Sequence, residues 1–273
     1  MMRSRTEFGG VMKKLFVLAL LITLARVGLS ANLSSKQADD FRWQGQIEKG
    51  KAIQIKGVYG EIHAEPSAGN QVEVVASKRG GDGSASQVRI EFVQHNDGVT
   101  ICTLYPQKSS APAKCEPGDG WLKSYKNNIK VDFTVRVPAG VRFVSRLVNG
   151  DVTANSLNSA VEAYTINGDV RVSTAEEAQA STINGNITAS MGSVSWTEPL
   201  SFETINGSIT LELPPTASAD VNVNTVNGRI SSQLPLTIRG SLSKTRLDGV
   251  IGNGGSKLKL STINGSVKLN SKS

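Results

Sequence analysis

The strongest constraint on this chain is a short motif that returns along its C-terminal half. Val148 begins V-N-G-D-V, Ile166 I-N-G-D-V, Ile183 I-N-G-N-I, Ile205 I-N-G-S-I, Val226 V-N-G-R-I and Ile263 I-N-G-S-V. A variant, L-D-G-V-I, begins at Leu247, and an isolated copy, V-Y-G-E-I, begins far upstream at Val58. The turn pairs are Asn149-Gly150, Asn167-Gly168, Asn184-Gly185, Asn206-Gly207, Asn227-Gly228, Asp248-Gly249 and Asn264-Gly265, with glycine spacings of 18, 17, 22, 21, 21 and 16. Glycine adopts positive φ without strain and Asn or Asp is the next most tolerant residue, so each pair predicts a tight turn. Beyond each turn, apolar and polar residues alternate, as in Ile209, Leu211 against Ser208, Thr210. That is the period of a strand with one buried side.

Asn-Gly between alternating runs is a hairpin signal, whereas a period near 20 residues is a solenoid signal. Both predict an all-β protein with almost no helix. A right-handed β-solenoid of T-[IV]-N-G-x-[IV] repeats is the preferred reading, because the motif recurs once per period with similar flanks. Stacked coils would then place like residues above one another about 4.8 Å apart, forming ladders of Asn and of Ile or Val. Residues 77–138 break the period and read as an elaboration inserted between coils, with strand-like runs at 87–93, 98–104 and 129–137 around a long loop, 105–128.

At the N-terminus, Met12, Lys13 and Lys14 open an apolar run from Leu15 to Ala25, and Ala31 is small enough for cleavage. Residues 1–31 therefore read as a secretory signal peptide and residues 32–273 as the β-strand-repeat domain. The run is well short of the roughly 20 apolar residues of a membrane span, so no stable transmembrane anchor is expected. The destination is extracytoplasmic: periplasm, cell surface or medium. The leader also carries five of the 30 basic residues and one of the 23 acidic ones, leaving 25 against 22 and a net charge of only +3. A clustered basic face is not implied, and nucleic acid is set aside as a partner. Outside the cytosol two cysteines are expected to pair, and Cys102 and Cys115 are the only two.

In their order along the chain, F-R-W-Q-G-Q-I-E-K-G-K from Phe41, I-K-G-V-Y-G-E-I from Ile55, V-D-F-T-V-R-V-P-A-G-V from Val131 and the T-[IV]-N-G-x-[IV] series resemble a family. It comprises bacterial extracytoplasmic β-strand-repeat proteins described as adhesins of unknown function. The resemblance spans about residues 41–269. It implies an all-β fold, an envelope location and no catalytic residues to carry over.

Chemistry-bearing residues are sparse. Two His and two Cys cannot assemble a His-rich or Cys-rich metal centre, and no Walker loop, dinucleotide fingerprint or G-x-S-x-G elbow occurs. Asp151 and Asp169 follow repeat glycines on adjacent coils, where stacking would bring the carboxylates to roughly 5 Å. Calcium binding and retaining glycoside hydrolysis both fit that separation, but Asn186, Ser208 and Arg229 at the equivalent positions favour plain turn residues. No metal, cofactor or enzymatic activity is expected. The group with most binding character is Trp121, Lys123, Tyr125, Lys126 and Lys130, in and beside the long loop, since aromatic faces beside cations stack on sugars or grip acidic polymers. The leading expectation is a non-enzymatic adhesin or cell-envelope interaction module with a glycan or surface protein as partner. The alternatives are a polysaccharide-processing β-helix enzyme and a self-associating structural component of the envelope.

Overall fold

A computed structural model describes residues 40–80, 85–107, 113–123 and 129–272. The expected leader and its cleavage near Ala31 lie outside the described residues. The chain begins with β1 (Asp40–Gly45), β2 (Ala52–Tyr59), β3 (Ile62–Pro66) and β4 (Val72–Arg79). Among the described residues the one helical element is a 3-10 turn, Ala85–Gln87. A hairpin, β5 (Arg89–His95) and β6 (Gly98–Leu104), is followed by β7 (Lys130–Val137). The repeats supply β8 (Arg142–Asn149), β9 (Val152–Leu157), β10 (Val161–Asn167), β11 (Val170–Thr174), β12 (Ala178–Ser181) and β13 (Ile187–Ser190). They continue through β14 (Leu200–Glu203), β15 (Ile209–Leu213), β16 (Ala219–Asn224) and β17 (Ile230–Ser232). A second hairpin, β18 (Leu236–Leu242) and β19 (Arg246–Ile251), precedes β20 (Lys257–Ser261) and β21 (Val267–Ser271).

These strands form two sheets. Ten lie in the order β1-β4-β7-β3-β9-β11-β13-β15-β21-β17, and eleven in the order β18-β19-β16-β20-β14-β12-β10-β8-β2-β6-β5. From β8 to β17 successive strands alternate between the sheets; up to β15 each pairs in parallel with the strand one repeat away, whereas β20 lies between β14 and β16 and β21 between β15 and β17. The inward residues, among them Phe143, Val161, Ala163, Ala180, Phe202, Leu211 and Leu260, are fully or almost fully buried in one continuous aliphatic core. Branched and small side chains suffice because the space between the sheets is narrow, which explains how so few aromatics fill it.

The motif is resolved atom by atom. Its Asn residues stack into a ladder: Asn167 Nδ2 donates to Asn149 Oδ1 at 2.9 Å, Asn184 to Asn167 at 2.7 Å, and Asn206 to Asn184, Asn264 to Asn206 and Asn227 to Asn264 at 2.8 Å each. The Thr that opens most copies is buried, and its hydroxyl donates to the glycine carbonyl of the neighbouring coil, as Thr182 does to Gly168 at 3.0 Å and Thr204 to Gly185 at 2.9 Å. The residue after each glycine accepts the next coil's N–H through its side chain. Asp151 takes Asp169 N, Asp169 takes Asn186 N, Asn186 takes Ser208 N, Ser208 takes Ser266 N and Ser266 takes Arg229 N. Asp, Asn and Ser fill this position because each offers a short acceptor; Arg229, at the end of the series, caps nothing further. Each such bond contributes about 1 kcal/mol net, so the motif encodes stacking as well as turning.

Two sequence expectations need correction, and one further feature stands beside them. Glycine serves the motif less through positive φ than through contact: a Cβ on Gly185, Gly207 or Gly265 would sit 1.9 Å from the preceding coil's carbonyl oxygen, with no left-handed φ at any of them. Asp248 and Gly249 are not a turn. They lie inside β19, paired antiparallel with Asn222 and Val221, because L-D-G-V has neither the buried Thr nor the short acceptor that stacks a coil. Finally, the apolar residue before Asn points outward, leaving Ile183, Ile205, Ile263 and Val226 between 40% and 64% exposed.

Cys102 and Cys115 form a disulfide that ties residues 113–123 to β6. Closing 13 residues, it stabilises the fold by about 3 kcal/mol in the chain-entropy model. Reduction, or Cys115→Ala, is expected to lower the unfolding midpoint accordingly and to open residues 113–123 to proteolysis before the rest of the chain, which limited digestion read by mass spectrometry will check.

Candidate functional site

The candidate site lies on the outer face of the eleven-stranded sheet, where β6, β2, β8 and β10 run side by side. Register aligns Cys102, Lys56, Arg146 and Tyr164 in one outward row, with Thr100, Gln54, Val144 and Glu162 in the row beside it. Outward residues of a sheet are ordinarily exposed, yet every residue from Ala52 to Val58 and every residue of β6 is buried. Residues 113–123 are the cover. Lys56 Nζ donates to the carbonyls of Glu116 at 2.9 Å and Gly118 at 3.2 Å, and Gln54 exchanges two bonds of 3.2 Å with the backbone of Gly118. Thr100 donates to Gln54 Oε1 at 3.0 Å, completing a network under the disulfide.

Two cations lie side by side in this row. Lys56 is 3% and Arg146 9% exposed. Burial, and then the adjacent guanidinium, holds the Lys56 ammonium below its ordinary value of 10.5. Arg146 sits 4.3 Å from the Tyr164 ring centroid and 5.9 Å from that of Trp121. Among the described residues its carboxylate partner is Asp119, whose side chain is 92% exposed, and its buried Nε has no hydrogen-bond partner. Burial, and next the negative Glu162, raise the Tyr164 hydroxyl well above the usual phenol range, so it stays a neutral donor, directed at Glu162 Oε2 at 3.2 Å. The arrangement is a guanidinium beside two aromatic rings, with a donor unfilled among the described residues and an exposed carboxylate as a displaceable partner.

Of the predicted binding group, Trp121 and Lys123 are exposed on the covering segment and Trp121 joins Arg146. Lys130 belongs elsewhere: it begins β7 in the ten-stranded sheet, paired with Arg79. Tyr125 and Lys126 lie outside the described residues. Sequence reading missed Gln54, Lys56, Arg146 and Tyr164, which are scattered over 110 positions and meet through parallel register. The available signal was a charged residue at an alternate position of an otherwise apolar strand, as in I-Q-I-K-G-V.

Asp151 and Asp169 are neighbours as stacking required, but Arg171 spans them, at 3.1 Å from Asp151 Oδ2 and 2.6 Å from Asp169 Oδ2. Their remaining oxygens receive backbone N–H groups, so both carboxylates are committed to structure. Among the described residues no three His, Cys, Asp or Glu side chains are grouped to hold a metal. A concavity of about 470 Å³ lies on the same sheet face at its other end, lined by Asp220, Asn222, Asp248, Arg239, Lys257 and Lys259. There Arg246 and Asn222 both bond Asp248, and Lys259 pairs with Glu203 at 2.7 Å, so much of its charge is internally neutralised. Among the described residues no helix is long and apolar enough to cross a membrane.

No curated protein matches the chain. Among solved structures it is similar to a "putative cell adhesion protein" of Clostridium sporogenes, at 9% identity and TM-score 0.43 over 85% of this chain and 99% of that one. It is also similar to a "putative adhesin" of Bacteroides fragilis, at 12% identity and TM-score 0.31 over 86% and 98%. A third, a "putative lipid binding protein" of Parabacteroides distasonis, shares 10% identity and TM-score 0.23 over 87% and 98%. The model of the family described as Toastrack DUF4097 matches residues 52–270, and the chain belongs to that family.

Proposed function

We propose that this chain is a non-enzymatic, extracytoplasmic interaction module. In this reading residues 1–31 are removed on export, residues 32–273 form a right-handed β-solenoid, and the outer face around Trp121, Arg146 and Tyr164 binds acidic glycans. The supporting observation is Arg146: a buried guanidinium beside two aromatic rings, with an Nε that has no partner among the described residues and a partner carboxylate left in solvent. A uronate carboxylate has the chemistry of the Asp119 side chain it would displace, and a sugar ring can lie against the exposed face of Trp121. The polysaccharide-cleaving alternative would need Asp151 and Asp169 free, and Arg171 holds both.

The test is a glycan array probed with the full chain, comparing uronate-containing with neutral oligosaccharides. Acidic members are expected to bind, Trp121→Ala and Arg146→Gln each to lose about tenfold or more, and Asp119→Asn, which removes the internal competitor, to bind more tightly. Equal retention of neutral glycans, or an Asp119→Asn variant weaker than the parent while melting normally, would overturn the reading.

A further inference from the structure

The spatial order of the coils departs from their order in the chain. Asn206 bonds Asn264, and Asn264 bonds Asn227, so the last repeat is inserted between the two that precede it. Both of its strands are interior: β20 lies between β14 and β16, and β21 between β15 and β17. Residues 257–272 are therefore a wedge in the stack, not its cap.

Three features make that wedge a separable piece. Its two walls match each other. Leu200 and Val221 face Leu258 from opposite sides, Phe202 and Val223 face Leu260, and Ile209 and Ile230 face Val267, so the slot closes in register without the insert. Its tether is slack. The segment from Ile251 to Lys257 must cross only β16, about 10 Å at two strand spacings, while six residue steps reach about 20 Å. That segment is Gly252-Asn253-Gly254-Gly255-Ser256, with positive φ at all three glycines. Third, the insert is matched to a slot and not to an end. Ser266 supplies the acceptor that Arg229 N–H takes, whereas Arg229 has no short acceptor to give a coil stacked beyond it. A last coil that leaves its slot cannot simply restack outside the 227 coil with its backbone satisfied.

We infer that the last coil, residues 257–272, exchanges between copies: leaving its own slot, it fills the equivalent slot of a second copy of this chain, giving a reciprocal dimer. The partner's slot has identical walls, and every hydrogen bond and apolar contact of the insert is regained there. The difference from the closed monomer lies in the glycine tether, which straightens, and in the concentration of chain.

The experiment uses full-length protein. Thr210 and Lys268 are register partners across the slot wall, at a spacing that a disulfide bridges. Chains carrying Thr210→Cys and chains carrying Lys268→Cys are mixed, held for hours a few degrees below the melting midpoint, and oxidised. The mixture is expected to give a covalent heterodimer at about tenfold the yield of a Thr153→Cys with Lys268→Cys mixture, whose sites lie on the same sheet but not on adjacent strands. Equal yields would overturn the inference. In parallel, light scattering is expected to show a slowly formed, concentration-dependent dimer of the unsubstituted protein that the oxidised Thr210→Cys/Lys268→Cys double variant, its coil stitched into its own slot, does not form. A dimer in the locked variant, or none in the unsubstituted protein, would equally overturn it.

Discussion

Gly207→Ala is expected to destabilise the protein by about 3–5 kcal/mol, although alanine is the better residue for an ordinary strand backbone. The added Cβ would sit 1.9 Å from the carbonyl oxygen of Gly185 and 2.5 Å from its carbon, and backbone cannot give way as a flexible side chain can. Because the ladder continues from Gly185 to Gly168 and on to Gly150, the displacement passes to the coils on either side. The informative control is Gly50→Ala. Gly50 has φ +83° and nothing within 4 Å of the added methyl, so its cost is the backbone term alone, about 1 kcal/mol. Turn chemistry by itself ranks these two in the opposite order, since only Gly50 needs positive φ. Urea unfolding midpoints for the pair decide between the two arguments, and a milder Gly207 variant would refute the stacking one.

Leu260→Ala is expected to cost about 3–5 kcal/mol, as large as any substitution in the middle of the chain. Residues this near a C-terminus usually fray, and truncating them costs little. Leu260 is instead fully buried between Phe202 and Val223, in the coil wedged into the stack, and the cavity has no mobile end to collapse into. Leu242→Ala, on the hairpin strand β18 and 65% exposed, should change stability by no more than about 0.5 kcal/mol. Thermal unfolding of the Leu260 variant should show the loss as a lowered main midpoint, because the coil it loosens is interior to both sheets. A small early transition with an otherwise unchanged midpoint would show that the last coil is peripheral after all.

The legible part of this protein was its local chemistry. Alternation after each Asn-Gly pair announces a one-sided strand, and the strands are there. The Asn ladder follows from repetition alone, since identical turns stacked about 4.8 Å apart place each amide within reach of the next. Even the row of N–H caps could have been read, for Asp151, Asp169, Asn186, Ser208 and Ser266 are all short acceptors, while Arg229 and the Val250 of the L-D-G-V variant break the series. The candidate site was less legible. Trp121 stood out because an aromatic in a Gly, Lys and Ser-rich loop is conspicuous, but Lys56 and Arg146 looked like ordinary outward residues of two strands 90 positions apart. Their burial depends on a cover tied down by Cys102–Cys115, and the register that aligns them with Tyr164 is a property of three strands at once.

By itself the sequence determined that the chain is all-β, where the Asn-Gly copies turn, and which side chains satisfy the turn's backbone. What only the tertiary structure decided is which coil lies against which. Every repeat carries nearly the same Thr, Asn and Gly, so the local pattern specifies that a coil stacks without specifying its neighbour. Placing the 264 coil between those of 206 and 227 comes from long-range fit: Leu260 between Phe202 and Val223, a Ser266 acceptor beneath Arg229, and a glycine tether long enough to cross β16.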